Sequence, residues 1–147
     1  LILSNLNLHW VNDVPGTLMQ IRRALRPDGL FLASMLGGDT LVELKHAFAL
    51  ADMERNGGVS AHVSPFAGVN DAGSLLGRAG FNLPAVDIDT ITYYFPDALT
   101  LMHTLQGMGE NNAIFSDGSR SGVSRESFLA AAACYEAMYR TEDGIPA

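Results

Sequence analysis

Hydrophobic and polar positions follow two rhythms in the first part of the chain. Continuous apolar stretches lie at residues 1–3, extending as far as residue 8, and at residues 30–36, where the string is LFLASML. Such runs are typical of strands that are covered on both faces, as in parallel sheets. Between them, Asp13 and Pro15 form a helix start signal, and apolar residues follow at helical spacing up to residue 25. The pattern predicts a strand, a helix and a second strand.

The middle of the chain predicts two helices around a loop. Thr40 and Glu43 form a T-x-x-E capping box for a helix that runs to about residue 55. Residues 56–71 are rich in glycine and small polar side chains, which predicts a loop. Residues 71–79 predict a short helix that Gly80 ends.

The last third predicts one strand and two helices. Residues 85–95 are rich in Ile, Thr and Tyr, which favours a strand. Helices are predicted after Pro96 and after Ser124, and the small polar residues 113–124 predict a flexible loop before the second one. Strands that alternate with helices predict an α/β fold with right-handed crossovers. Three strands are few for such a sheet, so we expect the chain to be one part of a larger domain.

Composition and charge narrow the function classes. The chain has 147 residues, of which 48% are hydrophobic and 17% charged, as in globular domains. Its net charge of -7 disfavours a nucleic-acid partner. The single cysteine, Cys134, excludes an internal disulfide, and on its apolar helix it is expected to be a buried thiol. No apolar stretch approaches the roughly 18 residues of a membrane span, and the N-terminus has no signal or transit pattern. We therefore do not predict an integral membrane protein.

One long string carries a family resemblance. Residues 3–47 read LSNLNLHWVNDVPGTLMQIRRALRPDGLFLASMLGGDTLVELKHA, which resembles the fourth strand, the following helix and the fifth strand of class I S-adenosylmethionine-dependent methyltransferases. The strings ERNGGVSAHVSPFAGVNDAGSLLGRAGF, LQGMGENN and AAAACYEAMYRTEDG narrow the resemblance to one subfamily, the mitochondrial complex I assembly factor 5 proteins. These methyltransferase-like proteins hydroxylate an arginine of a respiratory complex I subunit. The chain is more distantly similar to malonyl-carrier-protein methyltransferases.

The resemblance implies a fold and a cellular setting. It places strands four to six with their helices in residues 1–95 and a helical insertion or lid in residues 96–140 of a partial methyltransferase-like domain. The family's N-terminal strands, with the glycine-rich cofactor loop, and its last strand are expected outside these residues. We therefore expect the 147 residues alone to be inactive. The implied cofactor is S-adenosylmethionine, and the implied partner is a complex I subunit or assembly intermediate. The implied location is the mitochondrial matrix, with membrane contact only through partners.

The candidate cofactor-binding residues follow the first strand. Ser4, Asn5 and Leu6 mark its carboxyl end, where ligands of open α/β sheets bind. In the resembling superfamily this end lies beneath the methionine part of the cofactor; alternatively, Asn5 only caps loose backbone groups. Histidine is a common general base near neutral pH, so His9 is either a general base or a residue that shapes the pocket through local hydrogen bonds. Trp10 completes the predicted cofactor contacts, although it is most simply a large packing residue whose indole N–H needs a partner.

The candidate substrate-binding residues come from two glycine-containing stretches. Within LGGDT at residues 36–40, the backbone can approach a ligand closely, or it simply forms a tight turn. The stretch LQGMGENN at residues 105–112 is either a substrate-facing loop or an ordinary helix stop, and its asparagines suit a guanidinium group. The predicted substrate contacts are Gly37, Gly38, Asp39, Gly107, Met108, Gly109, Asn111 and Asn112.

The reaction itself is left open by the sequence. Iron-dependent hydroxylases use two histidines and one carboxylate, but the four histidines, at 9, 46, 62 and 103, are scattered, so no metal site and no catalytic residue are assigned. The favoured hypothesis is a complex I assembly factor that hydroxylates an arginine. The alternatives are a methyltransferase of a small molecule or carrier protein, and a non-catalytic assembly subunit.

Overall fold

The computed structural model describes residues 1–116, 119–120 and 123–147. Within them the chain forms five α-helices and six short strands. The helices are α1 (Val14–Ala24), α2 (Val42–Asn56), α3 (Val69–Arg78), α4 (Ala98–Met108) and α5 (Arg125–Tyr139). The strands are β1 (Ile2–Ser4), β2 (Phe31–Ala33), β3 (Tyr94–Phe95), β4 (Phe115–Ser116), β5 (Ser119–Arg120) and β6 (Ile145–Pro146).

The chain divides into two compact units. The first consists of Leu1–Thr40 and Pro65–Asp89, and the second of Leu41–Ser64 and Thr90–Ala147. Each unit is therefore built from two separate stretches of sequence. The first contains β1, α1, β2 and α3, and the second contains the other helices and strands.

The first unit is built around a parallel strand pair. Strand β1 pairs with β2 in parallel, with Ile2 opposite Phe31 and Ser4 opposite Ala33, which confirms the predicted pairing. In the described part of the chain, β2 is the only strand beside β1. Leucines at and beside the two strands are at least half exposed: Leu1, Leu3, Leu30 and Leu32.

Helix α1 begins as the sequence predicts. The Asp13 carboxylate accepts a hydrogen bond from the Gly16 backbone N–H at 2.9 Å, and Pro15 lies in the first turn. Residue 16 is glycine because an added Cβ atom would overlap the Asp13 carboxylate. The helix buries Leu18 and packs against α3. Its Arg22 side chain donates to the Gly80 carbonyl at 3.0 Å, which ties it to the end of α3.

The second unit depends on the packing of α2 against α5. Ala47 and Ala51 of α2 and Ala131 of α5 are completely buried. Their small side chains let the two helices approach closely. The remaining core residues are Leu44, Phe48, Ala98, Leu101, Tyr135 and Ile145. Cys134, predicted to be buried, is only partly so and packs at the edge of this core.

Tyr135 fastens the last strand to this core. Its side chain is fully buried, and its hydroxyl donates to the Pro146 carbonyl at 2.6 Å. Burial, with smaller effects from Glu43 and Tyr139, raises the pKa of Tyr135 well above its ordinary value. The hydroxyl therefore stays protonated and remains a hydrogen-bond donor.

The predicted strand at residues 85–95 is largely wrong. Only Tyr94 and Phe95 pair, with Pro146 and Ile145 respectively, in an antiparallel arrangement. Tyr93 exchanges two backbone hydrogen bonds with Ala147, at 2.9 and 2.8 Å, which extends this pairing by one residue. Residues 85–92 form no strand, because no strand in the described part of the chain pairs with them. Within the described residues, the antiparallel partner of β3 is the two-residue strand β6.

Two local predictions also fail. Thr40 does not cap α2: Leu41 is the N-cap residue in a left-handed conformation with φ of 55°, and no side chain caps this end. Thr40 instead lies before the N-cap residue and donates its backbone N–H to the Gly37 carbonyl at 3.0 Å, which closes a turn. The predicted loop at 113–124 contains a short hairpin of β4 and β5; residues 117–118 and 121–122 lie outside the described residues.

Replacing Tyr135 by Phe tests how firmly β6 is held. The variant keeps the buried ring but leaves the Pro146 carbonyl without its donor, which should lower the free energy of unfolding by about 1–2 kcal/mol. Tyr93→Phe is the matched control, because Tyr93 is 64% exposed. Urea denaturation measures both. Equal midpoints for the two variants would contradict the anchoring role of Tyr135.

Candidate functional site

The carboxyl ends of β1 and β2 bring two polar side chains together. The Ser34 hydroxyl donates to the Asn5 side-chain carbonyl at 2.5 Å. The Leu6 backbone N–H donates to both the Ser34 carbonyl and its hydroxyl, at 3.0 and 3.1 Å. Leu6 adopts a left-handed conformation with φ of 45°, which turns the chain away from the strand. Ser34 thus orients Asn5 in an exposed position at the end of the strand pair.

Ser34 is a site residue that the sequence analysis missed. It occupies the position after β2 that corresponds to Asn5 after β1, because Ser4 and Ala33 are register partners. The parallel pairing that the sequence predicts was therefore the signal that could have found it. Ser4, half-buried at the end of β1, accepts through its carbonyl from the Ser34 N–H at 2.9 Å.

His9 and Trp10 lie in a short 3₁₀ helix, Leu8–Trp10, that follows the strand end. Buried Leu8 anchors this turn. The half-buried His9 ring lies 5.7 Å from the Trp10 ring and 5.8 Å, edge to face, from the Phe66 ring. Trp10 is 43% exposed, so it offers an aromatic surface to solvent or to a ligand.

Phe66 also connects the glycine turn to this region. An added Cβ atom on Gly38 would lie 3.7 Å from the Phe66 carbonyl, whereas one on Gly37 would meet nothing within 4 Å. The backbone at Gly37 is therefore open, and Asp39 follows it in the turn that Thr40 closes. The predicted cofactor residues and the Gly37–Asp39 turn all belong to the first unit. Phe66, in a segment that the sequence predicts as a loop, lies beside both His9 and Gly38.

The second predicted substrate stretch lies in the second unit. Helix α4 ends at Met108, and Gly109 caps it in a left-handed conformation with φ of 83°, which confirms the predicted helix stop. The Asn112 amide nitrogen donates to the Ala61 carbonyl at 3.1 Å, and its amide oxygen accepts from the Ile114 N–H at 2.9 Å. Asn112 is therefore held in one orientation.

A buried acid–histidine pair is the main feature that sequence reasoning missed. Asp52 has no exposed surface, and one of its oxygens lies 2.7 Å from His62 Nε2. The same oxygen accepts from the Ser60 N–H at 2.9 Å, and the other accepts from the Asn56 amide at 3.0 Å. The His62 side chain is 6% exposed and packs on Phe48 at a ring distance of 4.6 Å.

The electrostatics of this pair favour an ionised carboxylate. Burial works to raise the pKa of Asp52, but hydrogen bonds from Ser60, His62 and Asn56, together with the charge of His62, outweigh it and lower the pKa below its ordinary value. His62 Nδ1 is buried and has no hydrogen-bond partner among the described residues. The signal in the sequence was spacing: Asp52 follows Phe48 by four residues and so lies on the core-facing side of α2.

A cleft of about 370 Å³ opens beside the pair. Its lining residues come from α2 and from the segment that follows: Lys45, His46, Phe48, Ala49, Val59, Ser60, Ala61, His62 and Val63. His46 is fixed at its edge by a 3.0 Å hydrogen bond to the Tyr139 hydroxyl. His62 of the buried pair thus forms part of the wall of a concave surface, and Asp52 lies behind it.

No three histidine, cysteine, aspartate or glutamate side chains lie together as a group that could hold a metal ion in the part of the chain that the structure describes. In that same part, every helix is too short or too polar to cross a lipid bilayer.

Comparison with known proteins gives a consistent result. No family model matches the chain. Arginine-hydroxylase NDUFAF5, mitochondrial, from Homo sapiens is 53% identical over 148 residues, which cover 100% of this chain and 42% of the relative. The protein of the same name from Danio rerio is 49% identical, covering 100% of this chain and 46% of the relative. The chain is related over its whole length to arginine-hydroxylase NDUFAF5.

The chain is also similar to a bacterial methyltransferase. Malonyl-[acyl-carrier protein] O-methyltransferase from Xylella fastidiosa is 38% identical over 145 residues, which cover 99% of this chain and 47% of the relative. The chain thus spans less than half the length of these curated relatives. Its α/β architecture and its methyltransferase relatives together suggest a class I fold.

Replacing Asp52 by Asn should destabilise the protein in a pH-dependent way. Because its folded-state pKa lies below the ordinary 3.8, ionised Asp52 contributes stability above that value and loses it as the pH falls through the folded pKa. Breaking a buried pair should cost about 3 kcal/mol near neutral pH. The difference from wild type should shrink below a pH of about 4.

The matched control for this variant is Glu54→Gln, which removes a carboxylate that is 64% exposed on the same helix. It should change the free energy of unfolding by less than about 0.5 kcal/mol at any pH. Urea unfolding at a series of pH values measures both variants. A loss in Asp52→Asn that is constant with pH would show that the charge is not the stabilising feature.

Proposed function

We propose that this protein is a methyltransferase-like assembly factor of mitochondrial respiratory complex I and that it hydroxylates an arginine of a complex I subunit. The observation that supports this proposal is sequence identity over the whole chain to arginine-hydroxylase NDUFAF5. The identity is 53% for the Homo sapiens protein and 50% for the Dictyostelium discoideum protein. The relatives are mitochondrial by name, which supports a mitochondrial location, in the matrix in our proposal. Membrane contact is proposed to occur only through partners, a complex I subunit or assembly intermediate.

The proposed cofactor is S-adenosylmethionine, held at the carboxyl ends of β1 and β2. In this proposal the two strands are the fourth and fifth of the class I sheet, and the tip beneath the cofactor consists of Ser4, Asn5 and Leu6, with His9 and Trp10 beside it. The residues present fit such a ligand, because the exposed Asn5 amide, oriented by Ser34, offers polar groups at the edge where parallel sheets bind ligands. When bound in a methyltransferase, this cofactor supplies an activated methyl group.

Substrate contacts are proposed in each unit separately, on its own glycine-containing stretch. Gly37, Gly38 and Asp39 offer open backbone and a carboxylate beside the proposed cofactor end. Met108 is 63% exposed after Gly107 and before the Gly109 turn, and the amides of Asn111 and Asn112 can accept hydrogen bonds from a guanidinium group. Binding and orienting the arginine is the role that this supports; no residue is assigned to the oxidation step.

A second candidate is methylation of a carrier protein or small molecule. It is favoured by the 38% identity with malonyl-[acyl-carrier protein] O-methyltransferase. The two candidates differ in the product. Hydroxylation adds one oxygen atom to an arginine, whereas methylation adds one methyl group to a carboxylate.

Mass spectrometry of complex I subunits separates the candidates. Cells that lack the protein should lose an oxygen-bearing arginine in one complex I subunit, and the full-length protein should restore it. Unchanged arginine masses, together with a new methyl ester on a carrier protein after incubation with S-adenosylmethionine, would favour the second candidate. If neither product depends on the protein, a non-catalytic role in assembly replaces both.

The cofactor placement is tested by two substitutions in the full-length protein. Asn5→Ala and His9→Ala should each weaken S-adenosylmethionine binding by about fivefold to tenfold, the equivalent of one hydrogen bond. Calorimetric titration measures the affinity. Asn7→Ala and His103→Ala are matched controls, because both residues are exposed and the Asn7 side chain caps nothing. If both test variants bind as tightly as their controls, the pocket lies elsewhere.

A further inference from the structure

A buried polar network in the second unit reaches one of the proposed substrate residues. It starts at Asp52, whose Oδ2 atom accepts from the Ser60 N–H at 2.9 Å and lies 2.7 Å from His62 Nε2. These two contacts lie on either side of Ala61 in the sequence. One carboxylate oxygen therefore fixes the position of the peptide groups around Ala61.

The Ala61 carbonyl in turn fixes the position of the Asn112 side chain. It accepts from the Asn112 amide nitrogen at 3.1 Å, while the amide oxygen of Asn112 accepts from the Ile114 N–H at 2.9 Å. Both ends of the amide are thus engaged, and its plane is set by the backbone at 61 and at 114. The amide oxygen has a second lone pair, which can accept a hydrogen bond from a guanidinium N–H.

The other side of the network is anchored in the helical core. The Asn56 amide donates to Asp52 Oδ1 at 3.0 Å and to the Ser127 hydroxyl at 3.3 Å. Ser127 is 1% exposed, and its hydroxyl forms a 2.9 Å hydrogen bond with the Ser124 hydroxyl. Ser124 is the N-cap residue of α5. The anchor therefore includes both α2 and α5, which form the most densely buried part of the unit.

Burying the Asp52 carboxylate costs free energy, and good packing alone does not account for a charged residue at this position. A buried charge is tolerated only when it is paired and fully hydrogen-bonded, and an apolar replacement is often at least as stable. Such groups are best accounted for where they select one geometry among several. Here the geometry selected is that of residues 60–62, which contact Asn112.

We propose that Asp52 and His62 are positioning residues that orient Asn112 to bind the guanidinium group of the arginine substrate. The inference rests on the proposed function and deepens it, because it names the part of the protein that recognises the arginine side chain. Neither residue touches the substrate: Asp52 holds His62 and Ser60, and the Ala61 carbonyl between them holds Asn112.

The structural link is tested by amide hydrogen exchange in the full-length protein. His62→Ala should accelerate exchange at the Ser60 and Ile114 amides by about fivefold or more, because the hydrogen bonds that protect them are weakened. His62→Gln should restore protection, since its amide can still donate to Asp52. His103→Ala, at an exposed histidine of α4, is the matched control. Wild-type exchange at Ile114 in His62→Ala would overturn the proposal.

The functional link is tested by a double-mutant cycle. With a peptide that contains the target arginine, His62→Ala and Asn112→Ala should each raise KM by about fivefold or more and raise it by a larger factor than they lower kcat. The double variant should have a KM no higher than the worse single variant, because both changes remove one interaction. His62→Gln should recover most of the KM. Multiplicative effects on KM would overturn the proposal.

The two arms separate this inference from the function on which it rests. If the wild-type protein leaves every arginine peptide unmodified, the proposed function fails. Exchange at Ile114 in His62→Ala then still decides whether the buried pair controls Asn112. Protection lost at Ser60 but kept at Ile114 would show that the network ends at the 60–62 segment, and the positioning role would be wrong.

Discussion

The contact between α2 and α5 is the interaction on which the second unit depends. Completely buried alanines at 47, 51 and 131 remove side-chain bulk from the interface, and Tyr135 extends the same surface towards β6. The helices carry more than apolar surface to this contact. Because Asp52 lies on the same face of α2 as Phe48, close approach of the helices also encloses a carboxylate, and the chain must then supply its donors. The helix packing and the polar network therefore both follow from the close approach of α2 and α5.

The sequence was most informative where a short stretch determines its own structure. The Asp13 cap, the helix stop at Gly109 and the parallel pairing of residues 2–4 with 31–33 were all predicted, because each depends on local chemistry or on a long apolar pattern. Residues 85–93 were misassigned for the opposite reason. Their Ile, Thr and Tyr content suits a strand, but a strand exists only where a partner meets it.

In the candidate site too, the sequence predicted the residues that a local pattern marks and missed those that the fold brings in from elsewhere in the chain. Asn5 and His9 were singled out from their place after an apolar strand, yet Ser34 and Phe66, which orient and pack against them, required the folded arrangement. The buried Asp52–His62 pair was hidden because an acid in an amphipathic helix usually faces solvent. Ten residues separate the two side chains, and only the turn after α2 brings them within 2.7 Å. Whole-chain similarity to arginine-hydroxylase NDUFAF5 is the observation on which the proposed function rests.

The capped start of α1 has an evolutionary consequence. At most helical positions alanine is favoured over glycine by about 1 kcal/mol, so drift from glycine to alanine is usually harmless. At position 16 a methyl group would displace the Asp13 carboxylate, so the same step would weaken the helix cap while that acid is present. If residue 13 first changed to one without a carboxylate, alanine at 16 would become acceptable. The two positions are therefore epistatic, and in homologous chains the order of their substitutions should be constrained.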